Sequence, residues 1–103
     1  MCIRDRTRTA RLDLGLIAQI RDAVDVPLVL HGSSGVDDAH LREAVSAGMV
    51  KINISTHLNG TFTRAVREVL DADPAVVDPR KYFRAAREAT AQEVERLVRL
   101  LAD

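Results

Sequence analysis

The sequence places residues suited to metal and phosphate binding directly after an apolar segment. Residues 26–30 are apolar, His31 follows them, and a glycine-serine turn comes next, made of Gly32, Ser33, Ser34 and Gly35. Neutral imidazole is the commonest protein ligand of metals. A glycine-rich turn ahead of a helix presents backbone N–H groups that can bind a phosphate. The stretch fits either a metal ligand beside a phosphate loop, or a hydrogen-bonded histidine followed by a flexible connection.

A second predicted strand, residues 49–54 and apolar at Val50, Ile52 and Ile54, ends in a similar way. Backbone N–H groups and polar side chains that can bind a phosphate lie at its end, in Asn53, Ile54, Ser55 and Thr56. The Asn53 amide can also hydrogen-bond a substrate oxygen, whereas the plain alternative is that a hydroxyl caps the next helix. Loops after neighbouring strands form the usual phosphate site of TIM barrels, so the two loops together are more informative than either one.

Other polar residues have less specific surroundings. Arg80 and Lys81 lie in the first turn of a predicted helix, where cations oppose the helix dipole, so they form either a solvated pair or an anion site. His40 falls on the polar side of a predicted helix and is expected at the surface. His57 follows the second apolar segment and is a further candidate ligand if it faces the same site. Cys2 is given no role.

The elements that position these residues follow the order helix, strand, helix, strand, helix, helix. Asp13 is predicted to cap the first helix, and Gly48 to end the second. Asp78 and Pro79 have the types expected at the start of the last helix. Such alternation predicts parallel strands, buried on both faces and joined by helices. Two parallel strands do not form a stable sheet by themselves, so we expect part of a larger α/β sheet or barrel that is aggregation-prone alone.

Composition sets further bounds. The 103 residues allow one domain, and 15 basic against 15 acidic side chains argue against broad binding of nucleic acid or of membrane surfaces. A single cysteine excludes an internal disulfide and favours a reducing, cytoplasmic location. Residues 1–10 show no periodic pattern, so we expect a non-native or disordered leader there and assign the domain to residues 11–103.

Three motifs in fixed order carry a family resemblance. LVLHGSSG, KINIST and DPRKYFRAAREA resemble the carboxyl-terminal part of class II (zinc-dependent) ketose-bisphosphate aldolases, which include the fructose- and tagatose-bisphosphate enzymes. The resemblance covers roughly residues 11–103. It implies an α/β fold that is the carboxyl-terminal portion of a TIM (β/α)8 barrel, namely its last two parallel strands with the flanking and terminal helices.

The resemblance also implies roles at the first loop. His31 matches one of three zinc-binding histidines, so Zn2+ is the expected cofactor. The loop that binds the phosphate of dihydroxyacetone phosphate, often beside a monovalent cation (Na+ or K+), is matched by Gly32, Ser33 and Ser34.

Further roles follow at the second loop and the last helix. The second phosphate-binding loop is matched by Asn53, Ile54, Ser55 and Thr56, with Asn53 near the reacting carbonyl. Arg80 matches an arginine that reaches the far phosphate in a neighbouring subunit's site, which implies a homo-oligomer, dimeric or tetrameric, in the full-length parent.

The activity implied is reversible aldol cleavage of a ketose 1,6-bisphosphate to dihydroxyacetone phosphate and an aldehyde phosphate. The other two zinc ligands and an acid/base aspartate belong to earlier strands in this family. No catalytic residue is therefore assigned in this chain, which is expected to be inactive alone. Fructose-specific relatives often carry charges at the positions of Ser55 and Asn59, both uncharged here, so the ketose stays open.

Two other functions fit parts of the same pattern. One is a different phosphate-binding TIM-barrel enzyme, such as an isomerase or synthase, in which His31 binds no zinc. The other is a non-enzymatic helical interaction module that uses the apolar stripe of residues 82–101 as its partner surface.

Overall fold

A computed structural model describes residues 9–102 of the chain. Within this range the order of elements is the predicted one: α1 (Leu14–Ala23), β1 (Leu28–Leu30), α2 (Asp38–Ala47), β2 (Met49–Ile52), α3 (Thr56–Ala72) and α4 (Pro79–Ala102). These elements form two compact units, the first ending at Ser55 and the second beginning at Thr56. The predicted α/β character is confirmed. Cys2 and most of the predicted leader lie outside the described residues.

The two strands of the first unit pair in parallel, as the alternation of elements predicts. Their paired Cα positions, with a register shift between the first two pairs, are Leu28 with Met49, Val29 with Lys51, and Leu30 with Ile52. Pairing extends slightly beyond β2, because the Asn53 N–H donates to the Leu30 carbonyl over 2.9 Å. Both strands are shorter than the apolar segments that predict them. The reason is that each strand has one neighbour among the described residues, so few ladder bonds define its length.

The predicted helix caps of the first unit are observed. The Asp13 carboxylate accepts from the Leu16 N–H over 2.9 Å at the start of α1. At the end of α2, Gly48 has φ of +135°, a conformation that side chains disfavour. Arg21 of α1 donates to the Ala47 carbonyl over 3.0 Å, which satisfies a carbonyl at the end of α2. The two helices are thereby held together at the α2 terminus.

The core of the first unit lies between these helices and the strands. Its buried residues are Ile17, Leu30, Ser33, Val36, His40, Leu41 and Ala44. Outside this core the strands are less covered than predicted, because Val29 is 38% and Val50 72% exposed. The expectation of burial on both faces is therefore wrong for the described residues. Elements that would cover the outer faces of a two-stranded sheet are not among them.

The second unit is a helical hairpin of α3 and α4. The connecting turn is closed by Asp73, whose carboxylate accepts from the Ala75 N–H over 3.2 Å and whose carbonyl accepts from the Val76 N–H over 3.1 Å. Pro79 is the first residue of α4, and the Asp78 carboxylate accepts from the Arg80 N–H over 3.0 Å, as the predicted cap requires.

Small and aromatic residues share the contact between the two helices. Ala65 and Ala86 are buried, one on each helix, and small side chains let two helices approach closely. The rings of Phe62 and Phe83 lie 5.9 Å apart at an interplanar angle of 43°. Among the described helices, none is both long and apolar enough to cross a membrane.

Candidate functional site

The carboxyl ends of β1 and β2 bring together two of the predicted site residues. His31 directly follows β1, and Asn53 directly follows β2. Because the strands are parallel neighbours, both side chains lie at the same edge, with Asn53 Nδ2 3.1 Å from His31 Nδ1. His31 is exposed and Asn53 half-buried. The arrangement leaves the imidazole accessible to an external group and uses the amide to orient the ring.

Ser33 joins the first loop to the end of β2. Its hydroxyl donates to the Asn53 carbonyl over 2.9 Å, and the residue is buried, 3% exposed. The Ser33 carbonyl accepts from the Val36 N–H over 3.0 Å, which closes the turn before α2. The two loops that were predicted to bind one phosphate are therefore linked by a hydrogen bond.

Gly32 gives the first loop its shape and its free space. Its φ is +73°, in the left-handed region that glycine adopts most readily. Among the described residues, no heavy atom other than those of its two chain neighbours lies within 4 Å of the position that a Cβ would occupy there. A ligand can therefore approach the backbone at this residue, as the predicted phosphate loop requires.

The first turn of α2 carries negative charge of its own. Asp37 caps the helix, where its carboxylate accepts from the His40 N–H over 2.8 Å, and Asp38 follows in the first turn. These carboxylates occupy the region where the helix dipole favours anions. An anion at this site would therefore be bound by the N–H groups of the loop rather than by the start of α2.

The remaining residues of the second loop lie across the division between the units. Ile54 and Ser55 end the first unit, and Thr56 is the first residue of α3. Ser55 and Thr56 are exposed, so their hydroxyls are accessible. Their predicted contact with phosphate stays a prediction.

Arg80 lies in the second unit and is paired with an acidic neighbour. Its guanidinium Nη2 is 2.8 Å from Asp78 Oδ2, and its Nε is 3.0 Å from Asp78 Oδ1. The hydrogen bonds from Arg80 lower the pKa of the Asp78 carboxyl and raise the pKa of Arg80. Arg80 also borders an open groove of about 320 Å³ with Phe83, Arg84 and Arg87. To bind a phosphate it would exchange the Asp78 carboxylate for the ligand.

His57 is engaged by the second unit itself. Its Nε2 lies 2.6 Å from Oε1 of Glu93 on α4, an oxygen that Arg96 Nη2 also contacts at 2.6 Å. The Arg96 hydrogen bond, assisted by His57 and opposed by partial burial, lowers the pKa of Glu93 to about 2. His57 therefore joins α3 to α4, a role that its position after the second apolar segment did not indicate.

His40 is the residue that sequence reasoning placed wrongly. It was expected at the surface, yet it is 4% exposed. Its Nε2 lies 2.7 Å from the Leu12 nitrogen and its Nδ1 3.2 Å from Glu43 Oε2. The surface prediction rested only on the polar character of the histidine side chain. The spacing of Asp37, His40 and Glu43 along one face of the helix was the available signal, since residues three apart on a helix are neighbours.

The described residues supply one candidate ligand for a metal ion. His31 offers an exposed imidazole, and imidazole nitrogen is a ligand that zinc accepts. In the part of the chain that the structure describes, no group of three His, Cys, Asp or Glu side chains is placed to hold a metal ion. Zinc bound at His31 would therefore need ligands from outside the described residues.

Comparison with known proteins is consistent with this geometry. A family model described as fructose-bisphosphate aldolase class-II matches residues 4–103. Among solved structures, the YdjI aldolase from Escherichia coli K12 is similar to this chain, with a TM-score of 0.77 and 36% sequence identity over 88% of the chain. The chain covers 34% of that aldolase, about a third of its length.

Proposed function

The chain belongs to the class II fructose-bisphosphate aldolase family, and we propose that it is the carboxyl-terminal part of a TIM barrel in a zinc-dependent aldolase. The proposed reaction is reversible cleavage of a ketose 1,6-bisphosphate to dihydroxyacetone phosphate and an aldehyde phosphate. The resemblance derived from the three sequence motifs is confirmed at the level of the family. The proposal of a zinc and phosphate site rests on one observation. The side chains of His31 and Asn53 lie 3.1 Å apart, beside a loop whose backbone a ligand can approach at Gly32.

His31 is proposed as one zinc ligand of the complete site. Bound zinc would polarise the ketose carbonyl and stabilise the enediolate left by cleavage of the carbon–carbon bond. Asn53 orients the His31 ring and lies where it can also reach a substrate oxygen. Zinc on Nε2 requires a hydrogen on Nδ1, so in the zinc-bound form the Asn53 amide would present Oδ1, accept from Nδ1–H and thereby set the tautomer of the ring.

The first loop is proposed to bind the phosphate of the dihydroxyacetone phosphate half of the substrate. Its backbone is open at Gly32, and the buried Ser33 hydroxyl ties it to the second loop, which contributes Ile54, Ser55 and Thr56. Holding the phosphate would orient the carbon skeleton for cleavage. A monovalent cation, Na+ or K+, beside this loop would offset part of the negative charge.

Three further features of the proposal concern the whole protein. Arg80, exposed and bound to Asp78, is proposed to reach the far phosphate in the site of a neighbouring subunit. This requires a homo-oligomer, a dimer or a tetramer. A cytoplasmic location completes the proposal, and the ketose, whether fructose, tagatose or another phosphorylated ketose, stays open.

The test is retro-aldol cleavage by the protein that contains this chain, supplied with fructose 1,6-bisphosphate or tagatose 1,6-bisphosphate and assayed for dihydroxyacetone phosphate. His31→Ala is expected to lower kcat/KM at least about 100-fold with zinc content reduced, since loss of a ligand weakens the metal site. The matched control is His57→Gln. His57 is hydrogen-bonded to Glu93 within the second unit. It is expected to keep its zinc.

Zinc retained at full occupancy in His31→Ala, with unchanged cleavage, would reject the ligand assignment. A protein that binds phosphorylated sugars but holds no zinc would be an isomerase- or synthase-type barrel instead. A strong preference for fructose 1,6-bisphosphate would reject the expectation drawn from the uncharged Ser55 and Asn59.

A further inference from the structure

His57 is a half-buried side chain at the start of α3 that the proposed reaction does not use. It directly follows Thr56, which is the first residue of α3 and the last of the second loop. The side chain of His57 is 26% exposed, and its Nε2 lies 2.6 Å from Oε1 of Glu93 on α4. The ring therefore attaches the first turn of α3 to the other helix of the same unit.

Glu93 is itself held in place by Arg96 of the same helix. Arg96 Nη2 lies 2.6 Å from Oε1 of Glu93, and Arg96 Nε lies 3.0 Å from Oε2. Two such contacts from one guanidinium fix the plane of a carboxylate. The Arg96 hydrogen bond, opposed by partial burial and assisted by His57, holds the pKa of Glu93 at about 2, so this carboxylate is ionised near neutral pH. His57 thus has a charged partner whose orientation is fixed.

The contact between His57 and Glu93 does not depend on the charge of the ring. An ionised carboxylate can only accept, so Nε2 of His57 carries a hydrogen. A neutral ring can carry its hydrogen there, and a protonated ring has a hydrogen on both nitrogens. The backbone of His57 is also bonded, because its carbonyl accepts from the Thr61 hydroxyl over 3.1 Å. Both ends of His57 are therefore held, and Thr56 is one peptide bond away.

A second contact between α3 and α4 lies farther from the loop. The rings of Phe62 and Phe83 join the two helices at a centroid distance of 5.9 Å. Phe62 lies more than one helical turn beyond His57. If His57 did no more than stabilise the pair of helices, loss of either contact would affect the second loop equally.

We propose that His57, held by Glu93, is a positioning residue for the second phosphate loop. It fixes the first turn of α3 and with it the hydroxyl and backbone N–H of Thr56. The inference rests on the proposed function, in which this loop binds the phosphate of dihydroxyacetone phosphate. Without the bond to Glu93 the first turn is free to shift, and hydrogen bonds to a phosphate weaken steeply with distance and angle.

The test is calorimetric binding of dihydroxyacetone phosphate to the protein that contains this chain, with zinc content and free energy of unfolding measured for each variant. His57→Phe keeps a planar ring without an N–H donor. Its Kd is expected to rise about tenfold, the effect of one lost hydrogen bond. Because the phosphate is held in substrate and transition state alike, KM for the ketose 1,6-bisphosphate should rise by the same factor while kcat is unchanged.

Two control variants separate positioning from stability. His57→Gln restores an N–H donor to Glu93, so its Kd should stay within about twofold of the unchanged protein. Phe62→Leu weakens the contact between the helices away from the loop. It should lower the free energy of unfolding and leave Kd within the same twofold range.

Glu93→Met tests the same bond from its other side. This variant alone should show the about tenfold rise in Kd, and it replaces His57→Phe if that variant does not fold. The double variant of His57→Phe and Glu93→Met should bind no more weakly than either single one, because both remove one bond. A rise in the double variant equal to the product of the two single rises would contradict the proposal.

Other outcomes would also overturn the proposal. Equal Kd for the unchanged protein and for His57→Phe would reject the positioning role and leave the proposed function intact. Equal weakening in His57→Phe and Phe62→Leu would show that His57 only stabilises the two helices. A protein that binds no dihydroxyacetone phosphate in unchanged form would reject the proposed function, and this inference with it.

Discussion

At the scale of single residues, two small residues have roles that depend on the atoms around them. Gly48 combines a φ of +135° with close approach of Arg21, whose Cδ would lie 2.7 Å from an added Cβ. Ser33 is buried and donates to the Asn53 carbonyl. Each can be tested by substitution, with a control substitution at a residue of the same type that lacks these contacts.

Gly48→Ala is expected to lower the free energy of unfolding by about 2 kcal/mol, because the backbone conformation and the contact with Arg21 both oppose a Cβ. The matched control is Gly60→Ala within α3, where no described residue outside the adjacent helix backbone comes within 4 Å of the added atom. Alanine favours the helix there, so about 0.5–1 kcal/mol of stabilisation is expected. Urea denaturation measures both, and equal effects at the two positions would contradict the assignment.

Ser33→Ala is expected to cost about 1–3 kcal/mol, because the half-buried Asn53 carbonyl loses its donor. Ser34→Ala in the same loop is the control and should change stability by less than about 0.5 kcal/mol. Thermal unfolding of both variants gives the comparison. A larger loss for Ser34→Ala would show that the link between the loops does not stabilise them.

At the scale of elements, the hairpin of α3 and α4 is joined by a partly buried charge cluster. Glu93, whose side chain is 18% exposed, accepts from His57 of α3 and from Arg96 of α4. Partly buried pairs of this kind are screened less by solvent than exposed ones. The contact between the helices therefore depends on pH.

The pH dependence has a definite sign. Because the pKa of Glu93 lies at about 2 in the folded chain, below its ordinary value of 4.5, its stabilising contribution is present above pH 4.5 and is lost as the pH falls toward 2. Glu93→Gln should lower the free energy of unfolding by about 1–2 kcal/mol near pH 7. The difference from the unchanged chain should shrink on acidification.

Glu95→Gln is the control for this cluster, since Glu95 is 62% exposed and bonds only Arg99 among the described residues. Exposed pairs contribute about 0–1 kcal/mol, so little change is expected. Denaturation curves recorded between pH 2 and pH 7 compare the two. A constant deficit of Glu93→Gln across this range would refute ionisation of Glu93 as the cause.

At the scale of the whole molecule, the described chain exposes strand residues that a complete sheet would cover. Val50 is 72% and Val29 38% exposed, on strands with one neighbour each. Apolar strand edges and faces of this kind promote association. The chain is therefore expected to self-associate at the strands when it is studied alone.

Val50→Thr should reduce self-association about fivefold, because threonine keeps the β-branched shape while it replaces a methyl by a hydroxyl. Val77→Thr, at an 87% exposed position in the turn between α3 and α4, is the matched control. Sedimentation velocity over a range of concentrations measures the effect. Equal reductions in the two variants would show that general surface polarity, rather than the strands, governs association.

The order of elements, the parallel pairing and the helix caps could be predicted because their causes are local. Asp13 and Asp78 each accept from a backbone N–H two or three residues later, and Gly48 ends its helix through its own backbone freedom. The family was also available from motifs that lie within short stretches. Each of these signals requires the types of a few adjacent residues and no knowledge of distant ones.

The sequence by itself therefore determined the strand ends that carry His31 and Asn53, and the family to which the chain belongs. The tertiary structure alone decided that Asn53 meets His31 across 22 positions, that His40 is buried against Leu12 across 28, and that His57 bonds Glu93 across 36. Contacts between residues so far apart depend on how helices and strands pack. The polarity of one side chain does not contain that information, which is why His40 was expected in solvent and lies in the core.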